Sequence, residues 1–204
     1  MGFYSDIVLP IVCHLAMRNR RLLPYRHRVT ALARGRVLEI GAGSGLNLPL
    51  YGGAVREVVA LEPEPRLIAM AQRRARVAAT PMAFVEASAE KIPLENDSVD
   101  SVVTTWTLCT IAHVDTALAE IRRVLRPGGR LLFVEHGLAP DEGVRRWQDR
   151  LTPAWSCISG GCHLNRPIAK LIEDAGFHVD RLETGYMPGP KPMTYMYEGS
   201  AVAG

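Results

Sequence analysis

The stretch Val37 to Leu46, VLEIGAGSGL, is an apolar run that closes on glycines at positions 41, 43 and 45. The apolar part reads as a buried strand, and glycines directly after a strand let backbone approach a ligand closely. A dinucleotide loop is spaced G-x-G-x-x-G, its third glycine packing a helix on the strand and freeing that helix's N-terminus for pyrophosphate. Here the spacing is G-x-G-x-G. Glu39, two residues before the first glycine, is expected near the ligand, where it would repel pyrophosphate and favour a cation.

Outward from this loop, short apolar runs alternate with helical patterns, the signature of a parallel sheet flanked by helices. Strands are expected at Arg36 to Ile40, Glu57 to Leu61, Met82 to Glu86, Ser98 to Thr104, Gly129 to Glu135, Phe177 to Glu183 and Thr194 to Ala203. Helices are expected near 15–30, 64–78, 114–125, 142–151 and 166–175. Arg126-Pro127-Gly128-Gly129 and Ala175-Gly176-Phe177 each end a helix and open a strand. Only the loop Thr184 to Met193 joins the last two strands, so the final pair reads as an antiparallel hairpin at the sheet edge. The expected fold is α/β: a Rossmann-like, mostly parallel seven-stranded sheet with helices on both faces, forming one domain over residues 1–204. Residues 1–32 form its arm, 33–136 its cofactor half, and 137–204 a lid and C-terminal half.

In such sheets ligands bind beyond the carboxyl ends of the strands where strand order reverses, next to the first strand. The glycine loop lies there. Twenty-one residues after Gly41 the second strand ends in Glu62, placed to accept from both ribose hydroxyls. A ribose, a positive charge and no phosphate describe S-adenosylmethionine, with S-adenosylhomocysteine as the product.

With 204 residues, 48% hydrophobic and a net charge of +3, the chain is long enough for a substantial core and too weakly basic for a nucleic-acid binder. The first 36 residues hold seven arginines against one acid, Asp6. This basic arm, with Ile7, Val8, Ile11, Val12 and Leu15, reads either as a cover over the active site or as a binder of anionic lipid. The apolar run of residues 7–17 falls far short of the roughly 20 residues of a spanning helix, so membrane contact is expected to be peripheral and the chain cytoplasmic. Four cysteines give no disulfide framework. Cys157, Cys162 and His163 have C-x4-C-H spacing with the last two adjacent, an awkward set for joint ligation, and no metal is assigned.

The ordered motifs LEIGAGSG, VVALEPEPRLIAMAQRR, FVEASAEKIPLENDSVDSVV and EIRRVLRPGGRLLFVEH, over about residues 33–136, resemble those of class I S-adenosylmethionine-dependent methyltransferases, in the branch of quinone-biosynthesis C-methyltransferases. The resemblance implies that Glu62 holds the ribose, Arg66 lies near the cofactor, Ser88, Ala89 and Glu90 flank the adenine, and Thr105, Trp106 and Thr107 close over the methionine end. Glu39, Gly41, Ala42, Gly43, Gly45, Asn47 and Pro63 complete the expected cofactor set. Many relatives carry Asp where Ser88 stands, so the adenine bond here is uncharged. The motifs at Trp106–Cys109, Val134–His136, Trp147-Gln148, Leu151–Trp155 and Gly161–Arg166 look like the small membrane-associated thiol S-methyltransferases and their bacterial relatives.

Methyl transfer from a sulfonium is an in-line displacement in which the enzyme aligns the acceptor and, where needed, takes its proton. His136, at the end of the fifth strand, is the expected base; Cys109 is the second catalytic candidate, against a purely buried role. Glu135 and His136 alternate across the strand, so one is expected to face the cleft. Trp147, Trp155, Asn165, Arg166 and Tyr186 are the expected acceptor contacts. The acceptor is read as a small, moderately hydrophobic thiol, quinol or lipid-like molecule. The alternatives are a phospholipid amine N-methyltransferase and a non-catalytic cofactor-binding partner protein. A nucleic-acid methyltransferase is disfavoured because Thr104-Thr105-Trp106-Thr107 stands where an Asn-Pro-Pro-Tyr motif would.

Overall fold

The computed structural model describes residues 8–203; Ile7 and the rest of the arm before it lie outside the described residues. The strands are β1 Gly35–Ile40, β2 Val55–Leu61, β3 Met82–Val85, β4 Val99–Thr105, β5 Leu125–His136, β6 Phe177–Tyr186 and β7 Tyr195–Ala203. The helices are α1 Leu9–Met17, α2 Leu23–Leu32, α3 Pro65–Ala75, α4 Val114–Val124, α5 Glu142–Ile158, α6 Ile168–Asp174 and the single turn α7 Lys191–Thr194. The sheet order is β3-β2-β1-β4-β5-β7-β6, with β7 antiparallel to both neighbours and the other pairs parallel. The final hairpin is therefore at the edge as expected, with β7 inside and β6 outermost.

Both faces of the central strands are buried. Leu38, Ile40, Val102, Leu131 and Phe133 join one core with Leu118 and Ile121 of α4 and Ile168 and Ile172 of α6. The alternate residues Val37, Val58, Val103 and Leu132 join a second core with Val29 of α2 and Ala71 of α3.

Three expectations need correction. The helix expected near 15–30 is two helices, separated by a 3₁₀ turn at Arg20–Leu22 that Asn19 caps through its side chain to the Arg21 N–H. The helix expected to end near 151 runs on to Ile158 with Pro153 inside it, so packing outweighs the roughly 3 kcal/mol an interior proline costs. The Arg126–Gly129 segment is a bulge inside β5: Val99 pairs with Leu125 and Ser101 with Arg130.

Candidate active site

After β1 the chain turns through the glycine loop into a 3₁₀ turn at Leu48–Leu50 and then β2, with no α-helix between the two strands. The helix N-terminus that would hold a pyrophosphate is thus missing from this crossover. Gly45, at φ +78°, has room for no Cβ, which would stand 2.8 Å from Leu48 Cδ1 and 2.9 Å from Ala71 Cα. Gly43, at φ +55°, would meet nothing closer than 3.9 Å; its open side belongs to a cavity of about 700 Å³, within the roughly 300–1,000 Å³ of small-molecule sites.

Glu62, just past β2, lines this cavity. One carboxylate oxygen accepts the Gly43 N–H at 2.8 Å and the other the Glu64 N–H at 3.1 Å, leaving each oxygen a further acceptor site. Burial raises its pKa against the pull of those two bonds. Ala42, Pro63, Ser88, Ala89 and Glu90 share the wall. The Ser88 hydroxyl accepts the Glu90 N–H, and Glu90 accepts the His113 N–H at 2.8 Å.

Glu39 is not in the wall. Strand alternation turns it away from the Leu38–Ile40 face and under α2. There its carboxylate accepts from Tyr51 Oη at 2.8 Å and Asn47 Nδ2 at 3.0 Å. Burial pushes it up to about 7, with the Tyr51 hydrogen bond and the Arg26 charge pulling the other way. Arg26 donates to Asn47 Oδ1 at 2.7 Å and lies 4.8 Å above the Trp106 ring. Burial lowers its pKa to about 10, so it stays charged at neutral pH. Arg26 lines the cavity, and no other Lys or Arg among the described residues does.

The opposite wall comes from the loop after β4, the end of β5 and the loop after α5. Trp106, in the left-handed region at φ +53°, bends the chain after β4 so that the Thr107 and Leu108 N–H groups both donate to Glu135, at 3.0 and 3.1 Å. Glu135 is buried, which pushes it up to about 7 against those two bonds. His136, one residue on, faces the cavity, with Nε2 3.0 Å from Cys162 Sγ. Cys162 Sγ is 3.7 Å from Cys109 Sγ. Burial disfavours a protonated His136 ring, but the Cys162 hydrogen bond and the Glu135 carboxylate outweigh it and raise its pKa. The Cys162 thiol is held well above its usual range by its hydrogen bond with Cys109 and by burial.

Helix α1 closes the cavity. Leu9, Val12, Cys13 and Met17 line it, and His14 Nδ1 sits 2.6 Å from Ser44 Oγ in the glycine loop.

A methyltransferase domain family matches residues 38–133. Human thiol S-methyltransferase TMT1B is 35% identical over 84% of this chain and 71% of its own length. The ubiquinone/menaquinone biosynthesis C-methyltransferase UbiE of Rubrivivax gelatinosus is 30% identical over 79% of this chain and 54% of its own. The chain belongs to the class I S-adenosylmethionine-dependent methyltransferases. The solved structure of an Aquifex aeolicus methyltransferase shares the fold, at a TM-score of 0.68 and 17% identity over 96% of this chain and 98% of that one. The cofactor of this methyltransferase is S-adenosylmethionine.

Of the residues expected from sequence, Gly41, Ala42, Gly43, Glu62, Pro63, Ser88, Ala89, Glu90, Thr105, Trp106, Thr107, Cys109, His136 and Trp155 come together around the methyltransferase cavity. Glu39, Gly45 and Asn47 lie beneath the loop and shape it, and Arg66, in the first turn of α3, is outside the lining. Four expected acceptor contacts fall elsewhere. Trp147 is 56% exposed, with Arg150 over its ring; Asn165 donates to Asp149, and Tyr186 to Asp141. Arg166 donates to the Leu108 carbonyl. Sequence reading missed Arg26, weighed Cys162 only beside Cys157 and His163, and offered the arm as a cover through Val12 without Leu9, Cys13 or Met17. These residues reach the cavity only through tertiary packing, and no local pattern marks them.

Proposed function

We propose that the chain transfers the methyl group of S-adenosylmethionine to a small hydrophobic thiol. The observation that carries this reading is the cavity's two ends. One holds the glycine loop, Glu62 and Arg26; the other is a wall of sulfur and imidazole, and among the lining Val12 and Ile158 are 50% and 57% exposed, which marks where an acceptor would enter. Glu62 serves the ribose with its remaining acceptor sites, and Arg26 pairs with the cofactor's carboxylate. Thr105 to Thr107 lie over the methionine end. A sulfonium methyl needs only an aligned lone pair on its far side, and a thiol supplies one after losing a single proton; His136 is the basic group of that wall. The similarity to thiol S-methyltransferase TMT1B supports the same acceptor class. The test is a panel of alkyl thiols, quinols and phosphatidylethanolamine with methyl-labelled cofactor. The reading expects label in thioether; label appearing only in quinol or amine overturns it.

A second reading concerns where the acceptor is met. Ile11, Val12 and Leu15 of α1 are 52%, 50% and 60% exposed, and Arg18, Arg20 and Arg21 beside them are exposed too. We propose that this face rests on anionic membrane while the mouth takes a hydrophobic acceptor from it. Among the described residues no helix is long and apolar enough to cross a membrane.

A further inference from the structure

We propose that Cys109, His136 and Cys162 form a binding site for a thiophilic divalent cation such as Zn²⁺, with its fourth coordination position open to the cavity. The three residues are 27 and 26 positions apart in sequence, and their donor atoms all lie within 4.8 Å of one another. The three segments are pinned by hydrogen bonds outside the cluster. Glu135 holds the loop that carries Cys109. The His163 N–H donates to the Cys109 carbonyl at 2.8 Å, and Arg166 ties the next loop to the Leu108 carbonyl. The backbone segments that carry the three residues are therefore held by the fold.

Two of the cluster's three edges lie near those of a tetrahedral cation site, and the third, from His136 to Cys109, is within 4.8 Å. Metal–sulfur bonds of about 2.3 Å at the tetrahedral angle put two sulfurs about 3.8 Å apart; Cys109 and Cys162 stand at 3.7 Å. The nitrogen-to-sulfur edge of such a site is about 3.5 Å, against 3.0 Å between His136 Nε2 and Cys162 Sγ, so the ring withdraws by about half an ångström as the cation enters. No hydrogen bond at His136 Nδ1 holds the ring against that movement. Two thiolates and a neutral imidazole balance a divalent charge, and this donor set leaves one position free, as in catalytic zinc sites. The trio weighed from sequence, Cys157, Cys162 and His163, is a different one: Cys157 is exposed and does not line the cavity.

The site deepens the thiol reading and, in this part, rests on it. An acceptor R–SH would take the open position as thiolate, giving its proton to solvent. A sulfur lone pair then forms the new C–S bond as the methyl–sulfonium bond breaks, and that bond's electron pair stays on the sulfur of S-adenosylhomocysteine. The thioether is neutral and would leave the open position. The metal would be neither oxidised nor reduced; with it bound, His136 would be a ligand in place of the base, and the metal would activate the thiol.

The test titrates the full chain, kept reduced with a phosphine, with Co²⁺ alone. The expected result is one Co²⁺ per chain, with thiolate charge-transfer absorption in the near ultraviolet and the visible bands of a tetrahedral site. Cys162→Ser should weaken binding by more than about a hundredfold, beyond the loss of an outer-sphere partner. Cys157→Ser should leave it unchanged, with circular dichroism checking that both variants fold. Failure of the wild type to bind Co²⁺ overturns the site, as does equal binding by the folded Cys162→Ser variant. Adding a small alkyl thiol without cofactor should then shift the visible bands. Bands that do not move overturn the thiol-coordination step alone, and a methylation panel that labels only quinols or amines overturns the acceptor reading while leaving the cation site standing.

Discussion

Glu39 and Glu62 end neighbouring strands, yet only Glu62 reaches the cavity. Sequence spacing identified Glu62 because the acid after the second strand is set by strand length. The same spacing misplaced Glu39, whose parity in β1 sends it beneath α2 to Asn47 and Tyr51. Its partner Arg26 is 13 positions away in another element, a pairing no local pattern announces. Glu62→Ala removes two proposed hydrogen bonds from ribose to a charged group, at about 1.5 kcal/mol each. Calorimetry should then show S-adenosylmethionine binding roughly 100-fold more weakly, and undiminished binding would remove the ribose role. Glu39 carries a pH signature instead. Its pKa stands at about 7 in the folded chain against 4.5 ordinarily. In that interval the folded chain holds a proton the unfolded chain has lost, so stability falls as pH rises through it. At about 1.4 kcal/mol per unit the effect reaches about 3 kcal/mol. Urea unfolding at about pH 5 and about pH 8 checks this: Glu39→Gln should gain up to that amount on wild type between the two. A constant difference would mean that Arg26 keeps Glu39 ionised throughout.

At the scale of elements, the strands were legible because each is a short apolar run bounded by Gly, Pro or charge, and all seven appear within a few residues of their expected bounds. Helix α5 was not, since Pro153 marks a stop that packing overrides. Its Gln148 shows what that packing secures. The side chain is fully buried; Oε1 accepts the Ala139 N–H at 3.0 Å, and Nε2 donates to the carbonyls of Gly137 and Leu164 at 2.9 Å each, with Pro192 at 3.1 Å. One side chain thus joins α5 to the loop after β5, the loop after Cys162 and α7. Trp147 beside it, an expected acceptor contact, is exposed instead. Gln148→Leu strands several buried backbone groups and is expected to cost about 3 kcal/mol or more. For a chain of this size that lowers the thermal midpoint by roughly 6–12 °C. A melting curve matching wild type would show that those backbone groups find other partners.

Over the whole molecule, the cofactor end of the cavity was readable and the acceptor end was not. The first is built from the carboxyl ends of β1, β2 and β4, where topology places ligands. The second needs α1, the loop after α5 and the end of β5 to converge. Helix α1 decides how an acceptor enters: its inner side chains line the cavity, while Ile11 and Leu15 face outward and line nothing. Replacing those two with serine therefore separates membrane contact from the chemistry. Each contributes about 1 kcal/mol when its half-exposed side chain is taken from water, and each nearby arginine about 1 kcal/mol at an anionic surface. Wild-type protein should float with phosphatidylserine vesicles at low salt and be released as salt screens the arginines. The Ile11→Ser/Leu15→Ser variant should bind those vesicles at least about tenfold more weakly, given roughly 2 kcal/mol lost. Its KM for a short, water-soluble thiol should stay at the wild-type value, and only that for a thiol dissolved in the vesicles should rise. If the wild type stays at the bottom of the gradient, the exposed face of α1 makes no membrane contact and the acceptor arrives from water.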